Sequence, residues 1–401
     1  MKKFIQLTGA EFKRIFSNSV VMAIFFGAPL LYGLLFGVTY KKGKIDKLSI
    51  AVVDYDRTTT SDKIIDAFND NEYMRVAKVY AGNQQVKAGI IQQNYQAIIT
   101  IPERFEADIN QRRYPEITVD LNMSNILTAN FASRGLQTVL ATLNAGVEIE
   151  TLKKQGLSPA LADTRYEAFK VTYNRLFNTS GNYLNFMWPG LMGAIMQQIF
   201  LLALALVFAR DFEDGYFTKL IQYSRVSLVH ILLKALPFYL LGILVWGMVI
   251  FLHHGFYMSG TILNSGMLAL TMMFTTACIL LGMLFSIIIP NQLKATEFLM
   301  VIATPGFVLS GYTWPASGMP AILQSLGNAL PLTHFLNGFR KIAIYGGTYS
   351  DIKNEMNALT WMSVIFFVLI VISLQVKIWK WAKRKSVKCT NNMLVNNDMN
   401  G

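Results

Sequence analysis

Charged and aromatic residues are mixed in a short segment, residues 210–225, that lies between two long apolar runs. Side chains of these types can form specific contacts with another surface. The apolar members recur at i, i+4, i+5, i+8 and i+9, near one stripe of a helix, and are Phe212, Tyr216, Phe217, Leu220 and Ile221. The segment is therefore predicted to form a short amphipathic helix.

No pattern in the sequence supports catalysis. The chain has no Ser/His/Asp grouping, no H-E-x-x-H and no C-x-x-C, and no G-x-x-x-x-G-K-[ST] loop that could cradle a phosphate. His253 and His254 are adjacent but have no Cys or carboxylate nearby, which makes a poor metal site. We expect no catalytic, cofactor-binding or metal-binding residue, so the chain is not expected to be an enzyme and its energy must come from a partner or a gradient.

The elements that position the polar segment are apolar runs long enough to cross a membrane. The chain is 53% hydrophobic and only 15% charged, against about 25% charged in soluble proteins. At 1.5 Å per residue, runs of about 20 residues span the roughly 30 Å of hydrocarbon. Six crossings are predicted, at residues 20–38, 186–209, 231–252, 263–290, 298–313 and 359–378.

The positive charge predicts both orientation and partners. The net charge of +12 could suggest nucleic acid, but the surplus flanks the apolar runs, so we expect a lipid membrane and no nucleic acid. Basic residues lie in an interfacial amphipathic helix at 1–19 and in a tail at 379–401, which predicts that both termini are cytoplasmic. Lys234, near the start of its crossing, is expected to extend to the inner surface. Gln197 and Gln198 are expected to hydrogen-bond between helices.

Two further regions interrupt the apolar runs. In residues 39–184 predicted strands alternate with predicted helices, which indicates an α/β domain, expected to be extracytoplasmic. The strands are predicted at 49–53, 75–79, 97–101 and 117–121, and the helices at 61–68, 83–91, 102–109 and 125–154. Residues 314–345 are too broken to span and predict a re-entrant pair of short helices at the outer face. The end of the tail, from residue 386, is polar and expected to be disordered.

The order of these elements resembles the ABC-2 type transporter permeases, in particular the subgroup with a large extracytoplasmic domain between its first two transmembrane helices. Local similarities occur at Val52-Val53-Asp54, Ile101-Pro102-Glu103-Arg104-Phe105 and Leu309-Ser310-Gly311. One departure lies in the polar segment, where the family usually has Thr and this chain has Tyr216.

The resemblance implies a permease that works as a homodimer or heterodimer with cytoplasmic ATP-binding subunits, which would use the ATP. Segment 210–225 would be the coupling helix, with Phe212, Phe217 and Leu220 as buried anchors on the ATPase. The coupling residues would be Asp211, Phe212, Glu213, Asp214, Gly215, Tyr216, Phe217, Lys219 and Leu220. The outer re-entrant motif would comprise Gly311, Pro315, Pro320, Pro331, His334 and Arg340.

The leading hypothesis is a permease of the bacterial inner membrane that exports a hydrophobic or amphiphilic compound. Its outer domain would contact a periplasmic adaptor or an outer-membrane channel, or would gate or dimerise. The alternative is a membrane receptor or assembly protein that does not transport and whose α/β domain binds a ligand or partner. A gradient-driven carrier is disfavoured because the crossings lack titratable groups at mid-membrane.

Overall fold

Long helices and one small sheet make up the computed structural model, which describes residues 2–82, 95–165, 177–178, 181–256 and 263–398. The chain divides into two units, which are described separately below. One comprises Met1–Lys41 and Leu176–Gly401, and the other comprises Lys42–Arg175. The helix predicted at 83–91 lies outside the described residues.

The second unit is built on a four-stranded mixed sheet. Its strands are β1 (Leu48–Asp54), β2 (Met74–Tyr80), β3 (Ala97–Ile101) and β4 (Thr118–Leu121). The spatial order is β2-β1-β3-β4, with β1 parallel to both neighbours and β4 antiparallel to β3. Ile50 and Val52 pack into one apolar cluster and Ala51 and Val53 into another. Burial of both faces explains why the central strand is continuously hydrophobic.

Helices connect and cover this sheet: α3 (Thr59–Asn69), α4 (Phe105–Asn110), α5 (Ile126–Lys154) and α6 (Pro159–Arg165). Asp54, at the end of β1, holds the start of α3, because its Oδ2 accepts a hydrogen bond from Ser61 Oγ at 2.7 Å. The start predicted for α4 is wrong: the helix begins three residues after Pro102, since Arg104 has a left-handed φ of 61° that no helix tolerates.

The first unit is helical. It begins with α1 (Lys2–Phe16) and α2 (Ser19–Thr39), the latter containing a π-turn at Ala23–Gly27. After the sheet unit come α7 (Tyr183–Glu213), α8 (Phe217–Tyr223), α9 (Ser227–Gly255), α10 (Ser265–Ile288), α11 (Gln292–Leu309), α12 (Ala321–Asn328), α13 (Pro331–Phe339) and α14 (Lys353–Asp398). The central helix is α7, which packs against α2, α10 and α11.

Five helices in the described part of the chain are long and apolar enough to cross a membrane. They are α2, α7, α9, α10 and the stretch Tyr349–Ala382, which includes most of α14. The predicted crossing at 298–313 is not among them. Its helix, α11, has 18 residues, starts with the polar Gln292, Lys294 and Glu297, and ends at Leu309. The chain is thus a polytopic helical membrane protein.

The expectation of a disordered tail is also wrong within the described residues, since α14 continues to Asp398. The sequence offers a reason, because neither proline nor glycine occurs between Lys353 and Asp398. Helices commonly end at such residues.

Candidate functional site

The polar segment is a helix end, a turn and a second helix, not the single helix predicted for 210–225. The first helix, α7, runs through Glu213, and α8 begins only at Phe217. Gly215 between them has a φ of +67°, in the left-handed region that glycine adopts without the penalty of a side chain. The chain therefore turns sharply in the middle of the predicted coupling helix.

The apolar face of α8 packs inside this chain. Phe217 is 8% exposed and Leu220 fully buried, and the Phe217 ring meets that of Phe212 edge-on at 4.7 Å. Phe217 and Leu220 are thus covered by residues of this chain, and the role of Phe212, Phe217 and Leu220 as anchors on a partner stays a prediction. The exposed residues of the segment are Glu213, Asp214, Gly215, Lys219, Gln222 and Arg225.

Glu213 links the segment to the next polar turn. Its Oε1 accepts hydrogen bonds from Asn291 Nδ2 at 2.9 Å and from the backbone nitrogen of Gln292 at 3.0 Å. Its Oε2 accepts a hydrogen bond from the Gln292 side chain. Because Gln292 is the first residue of α11, the carboxylate caps that helix and complements the positive end of its dipole. Glu213 thus joins the ends of α7 and α11.

Behind the segment lies a charged cluster, which we define as Glu11, Arg14, Asp211 and Lys234. Arg14 Nη1 donates a hydrogen bond to Asp211 Oδ1 at 2.7 Å, and Lys234 Nζ donates one to Glu11 Oε2 at 2.8 Å. Lys234 Nζ also lies 2.6 Å from Asp211 Oδ2, an ion pair whose angles are not those of a hydrogen bond. The cluster joins α1, the end of α7 and the start of α9.

The cluster is buried but electrically balanced. Glu11 and Lys234 are each 2% exposed and Asp211 is fully buried, so each ion would be very costly alone. Two carboxylates face two cations, which leaves no formal net charge. The expectation that Lys234 reaches the inner surface is therefore wrong, because its ammonium group has two carboxylate partners within the protein.

Tyr216 covers the cluster from the turn. The Arg14 guanidinium carbon lies 4.0 Å from the centre of its ring, a stacking arrangement favourable for a cation. Burial, and then the negative charge of Glu11, raise the pKa of Tyr216, so the phenol stays neutral. The one position where the segment departs from the usual family residue thus lies against the charged cluster.

The cluster is not among the features predicted from the sequence, although the sequence contains two signals of it. Glu11 is the only acidic residue before Asp46, and Lys234 is the only charged residue between 231 and 252. A single acid on an otherwise basic helix and a single base in an apolar run are complementary. Their pairing could have been proposed from charge alone.

The residues of the predicted outer motif shape a second region. Gly311 has a φ of +77° just after α11, Pro315 precedes a short 3₁₀ turn, and Pro320 precedes α12. The first residue of α13 is Pro331. His334 Nε2 lies 2.9 Å from the carbonyl oxygen of Asn328, and the Arg340 guanidinium carbon lies 4.8 Å from the centre of the Tyr312 ring. These contacts join the short helices to one another and to the end of α11.

Gln197 connects that region to the central helix. It is fully buried in α7, and its Oε1 accepts a hydrogen bond from the backbone nitrogen of Leu332 at 3.0 Å. This is a contact between helices, as expected. Across the described ranges, no group of three or more His, Cys, Asp or Glu side chains could hold a metal ion.

Comparison with known proteins identifies the family. The sequence model of the family described as "ABC-2 family transporter protein" matches residues 14–374. The "Probable multidrug ABC transporter permease YbhS" of Escherichia coli (strain K12) is 24% identical over 345 residues, which cover 82% of this chain and 84% of that protein.

Two other relatives have similar coverage. The "Linearmycin resistance permease protein LnrN" of Bacillus subtilis (strain 168) is 24% identical over 402 residues, covering 92% of this chain and 98% of that protein. The "Inner membrane transport permease YhhJ" of Escherichia coli (strain K12) is 21% identical over 351 residues, covering 82% and 86%. Since the family match spans most of its length, the chain belongs to the ABC-2 family of transporter proteins and is a membrane permease of an ABC transporter.

Proposed function

We propose that this permease exports a hydrophobic or amphiphilic compound from a bacterial cell, using ATP hydrolysed by a separate cytoplasmic ATP-binding subunit. The names of two relatives, which refer to multidrug transport and to linearmycin resistance, support the cargo class. The family supports the partner, and the lack of a phosphate-cradling loop in the sequence agrees with it. A dimer of permeases in the inner membrane is part of the same proposal.

The proposed topology has six crossings, with α11 as the fifth. Its polar first turns, held by Glu213, would lie at the cytoplasmic surface. Both termini and the polar segment would then be cytoplasmic, and the sheet unit would be extracytoplasmic, where an adaptor or an outer-membrane channel could meet it. The basic residues of α1 and of the tail support this orientation.

The observation that carries the coupling proposal is the double attachment of the polar segment. Asp211 joins it to α1 and α9 through the charged cluster, and Glu213 joins it to α11. A force on the exposed turn would therefore move the ends of four helices together. Closure of an ATP-binding subunit against Asp214 and Lys219 would supply that force.

The test uses Lys219, an exposed residue whose side chain forms no hydrogen bond or ion pair with another described residue. Lys219→Glu reverses a charge on the exposed side of α8 and should abolish both export and copurification of the ATP-binding subunit, while membrane insertion persists. Lys63→Glu, the same reversal at an exposed lysine of the sheet unit, is the matched control. Normal copurification and export in Lys219→Glu would contradict the coupling role.

The topology has its own test. Lys219→Cys and Lys63→Cys are placed separately in a background with Cys278→Ala and Cys389→Ala, and intact spheroplasts are treated with an impermeant maleimide. Labelling is expected at position 63 at once, and at position 219 only after permeabilisation. The reverse pattern would overturn the orientation.

A further inference from the structure

A second feature of the helical unit is a cavity of about 370 Å³ among α7, α9, α10 and α13. This volume falls within the range of sites that enclose small organic molecules. Neither the charged cluster nor the polar segment contributes to it. Its walls are mostly apolar and include Trp188, Met192, Trp246, Val249, Phe335 and Phe339.

The aromatic walls are already fixed by contacts within the protein. Trp188 Nε1 donates a hydrogen bond to the carbonyl oxygen of Gly33 at 3.2 Å, and Trp246 Nε1 donates one to Thr275 Oγ1 at 3.3 Å. Phe335 stacks on a neighbouring ring, that of Phe274, at 4.3 Å. A ligand would therefore meet preformed ring surfaces whose indole N–H groups are in use, an arrangement suited to apolar contact.

Polar groups are few, and apart from Thr271, which lies further along α10, they come from one end of the cavity. His253 lies near the end of α9, while Asn264 and Ser265 lie at the start of α10. No Asp, Glu, Lys or Arg occurs among the described residues that line the cavity. A charged molecule would lose its hydration there without gaining a counter-charge. The lining therefore selects an uncharged compound with an apolar body and one polar end.

The rim of the cavity faces outward through apolar side chains. Leu263 and Leu268 contribute to the lining and are each 66% exposed. Exposed leucines on and beside a helix that is apolar enough to span a membrane are suited to contact with lipid. An apolar compound dissolved in the bilayer could thus reach the cavity without crossing water.

We propose that this cavity is a binding site for uncharged, mainly apolar small molecules with one polar end, received from the surrounding lipid. The proposal rests on the proposed export function and adds to it a place and a charge class for the cargo. The site lies within one permease chain, so binding needs no second copy and no ATP-binding subunit.

The experiment measures binding of N-phenyl-1-naphthylamine, a neutral aromatic amine, to the full chain in nanodiscs. Its signal is the energy transferred from tryptophan to the probe, measured above that of nanodiscs carrying a control membrane protein that has six tryptophans, as this chain has, and no bound chromophore. Val249→Phe combined with Thr271→Phe fills the cavity and should weaken binding by about tenfold or more. Leu244→Phe combined with Met272→Phe adds the same rings on exposed faces of the same two helices, and should bind as the unchanged chain does.

Two further measurements separate this proposal from folding defects and from the proposed function. Trp188→Phe should lower energy transfer more than Trp361→Phe, whose ring is 68% exposed on α14. The filled variant should still copurify with the ATP-binding subunit. Loss of copurification in Lys219→Glu therefore tests the proposed coupling and does not test the cavity proposal. The cavity proposal is overturned if the filled variant binds like the unchanged chain, or if the unchanged chain shows no signal above the control discs.

Discussion

The ammonium nitrogen of Lys234 lies 2.8 Å from Glu11 Oε2 and 2.6 Å from Asp211 Oδ2, and all three side chains are buried in the helical unit. One side chain thereby holds an amphipathic first helix and the end of the central helix in one position. The arrangement is stable only while its charges balance.

Lys234→Met is expected to destabilise the helical unit by about 3–5 kcal/mol, because Arg14 then remains as the one cation of the cluster for the two buried carboxylates of Glu11 and Asp211. Adding Glu11→Gln to that variant restores the balance of charge and should recover part of the loss. The measurement is the midpoint temperature of aggregation in detergent. Lys219→Met, at an exposed position, is the control and should shift the midpoint little. Equal midpoints for the single and double cluster variants would contradict the role of charge balance.

Glu213→Ala is expected to loosen the start of α11. The Gln292 amide would lose its acceptor, at a cost of about 1 kcal/mol, and should exchange its hydrogen about five times faster. Glu213→Gln keeps an acceptor oxygen and should show a smaller change. Hydrogen exchange followed by mass spectrometry of a peptide covering 290–298 checks both variants. Unchanged exchange in Glu213→Ala would show that the carboxylate does not cap the helix in solution.

Local patterns account for what the sequence predicted well. Long apolar runs correctly predicted α7, α9 and α10, and the short apolar segment from Ser49 to Val53 correctly predicted β1. These features depend on residues close together in the chain. Helix α11 is not among the five helices that are long and apolar enough to cross a membrane, because its first turns are polar. The same polar residues suit the helix to its contact with Glu213.

The features that the sequence did not predict depend on contacts between residues far apart in the chain. Glu11 and Lys234 are 223 positions apart, and although each stands out in its own segment, neither segment indicates which distant residue it meets. The apolar stripe of α8 was recognised, but periodicity alone cannot say whether such a stripe packs on its own chain or on another. The burial of Phe217 and Leu220 depends on how α7 and α9 approach, which no local pattern encodes.

Gly215→Ala is expected to cost about 1–2 kcal/mol, because a residue with a Cβ is strained at a φ of +67°. Steric overlap does not contribute, since no atom lies within 4 Å of the added methyl group. Gly247→Ala is the matched control: its methyl group also meets open space, but it lies within α9 at an ordinary helical φ. The midpoint temperature should fall in Gly215→Ala and should not fall in Gly247→Ala. It should fall less in Gly215→Asn than in Gly215→Ala, because Asn tolerates the left-handed region. A fall of the same size in both alanine variants would contradict the explanation from backbone conformation.

Gln197→Met is expected to destabilise the contact between α7 and α13 by about 1–3 kcal/mol, the cost of a buried donor without an acceptor. Pro331 has no N–H, so the Leu332 nitrogen is the first donor of α13, and Gln197 Oε1 is its acceptor. Methionine keeps the length of the side chain and removes only the amide. Gln198→Met, at the adjacent half-buried position, is the control. Hydrogen exchange in residues 330–336 should quicken in Gln197→Met and stay unchanged in Gln198→Met. Equal exchange in the two variants would mean that packing alone, without this hydrogen bond, holds the start of α13.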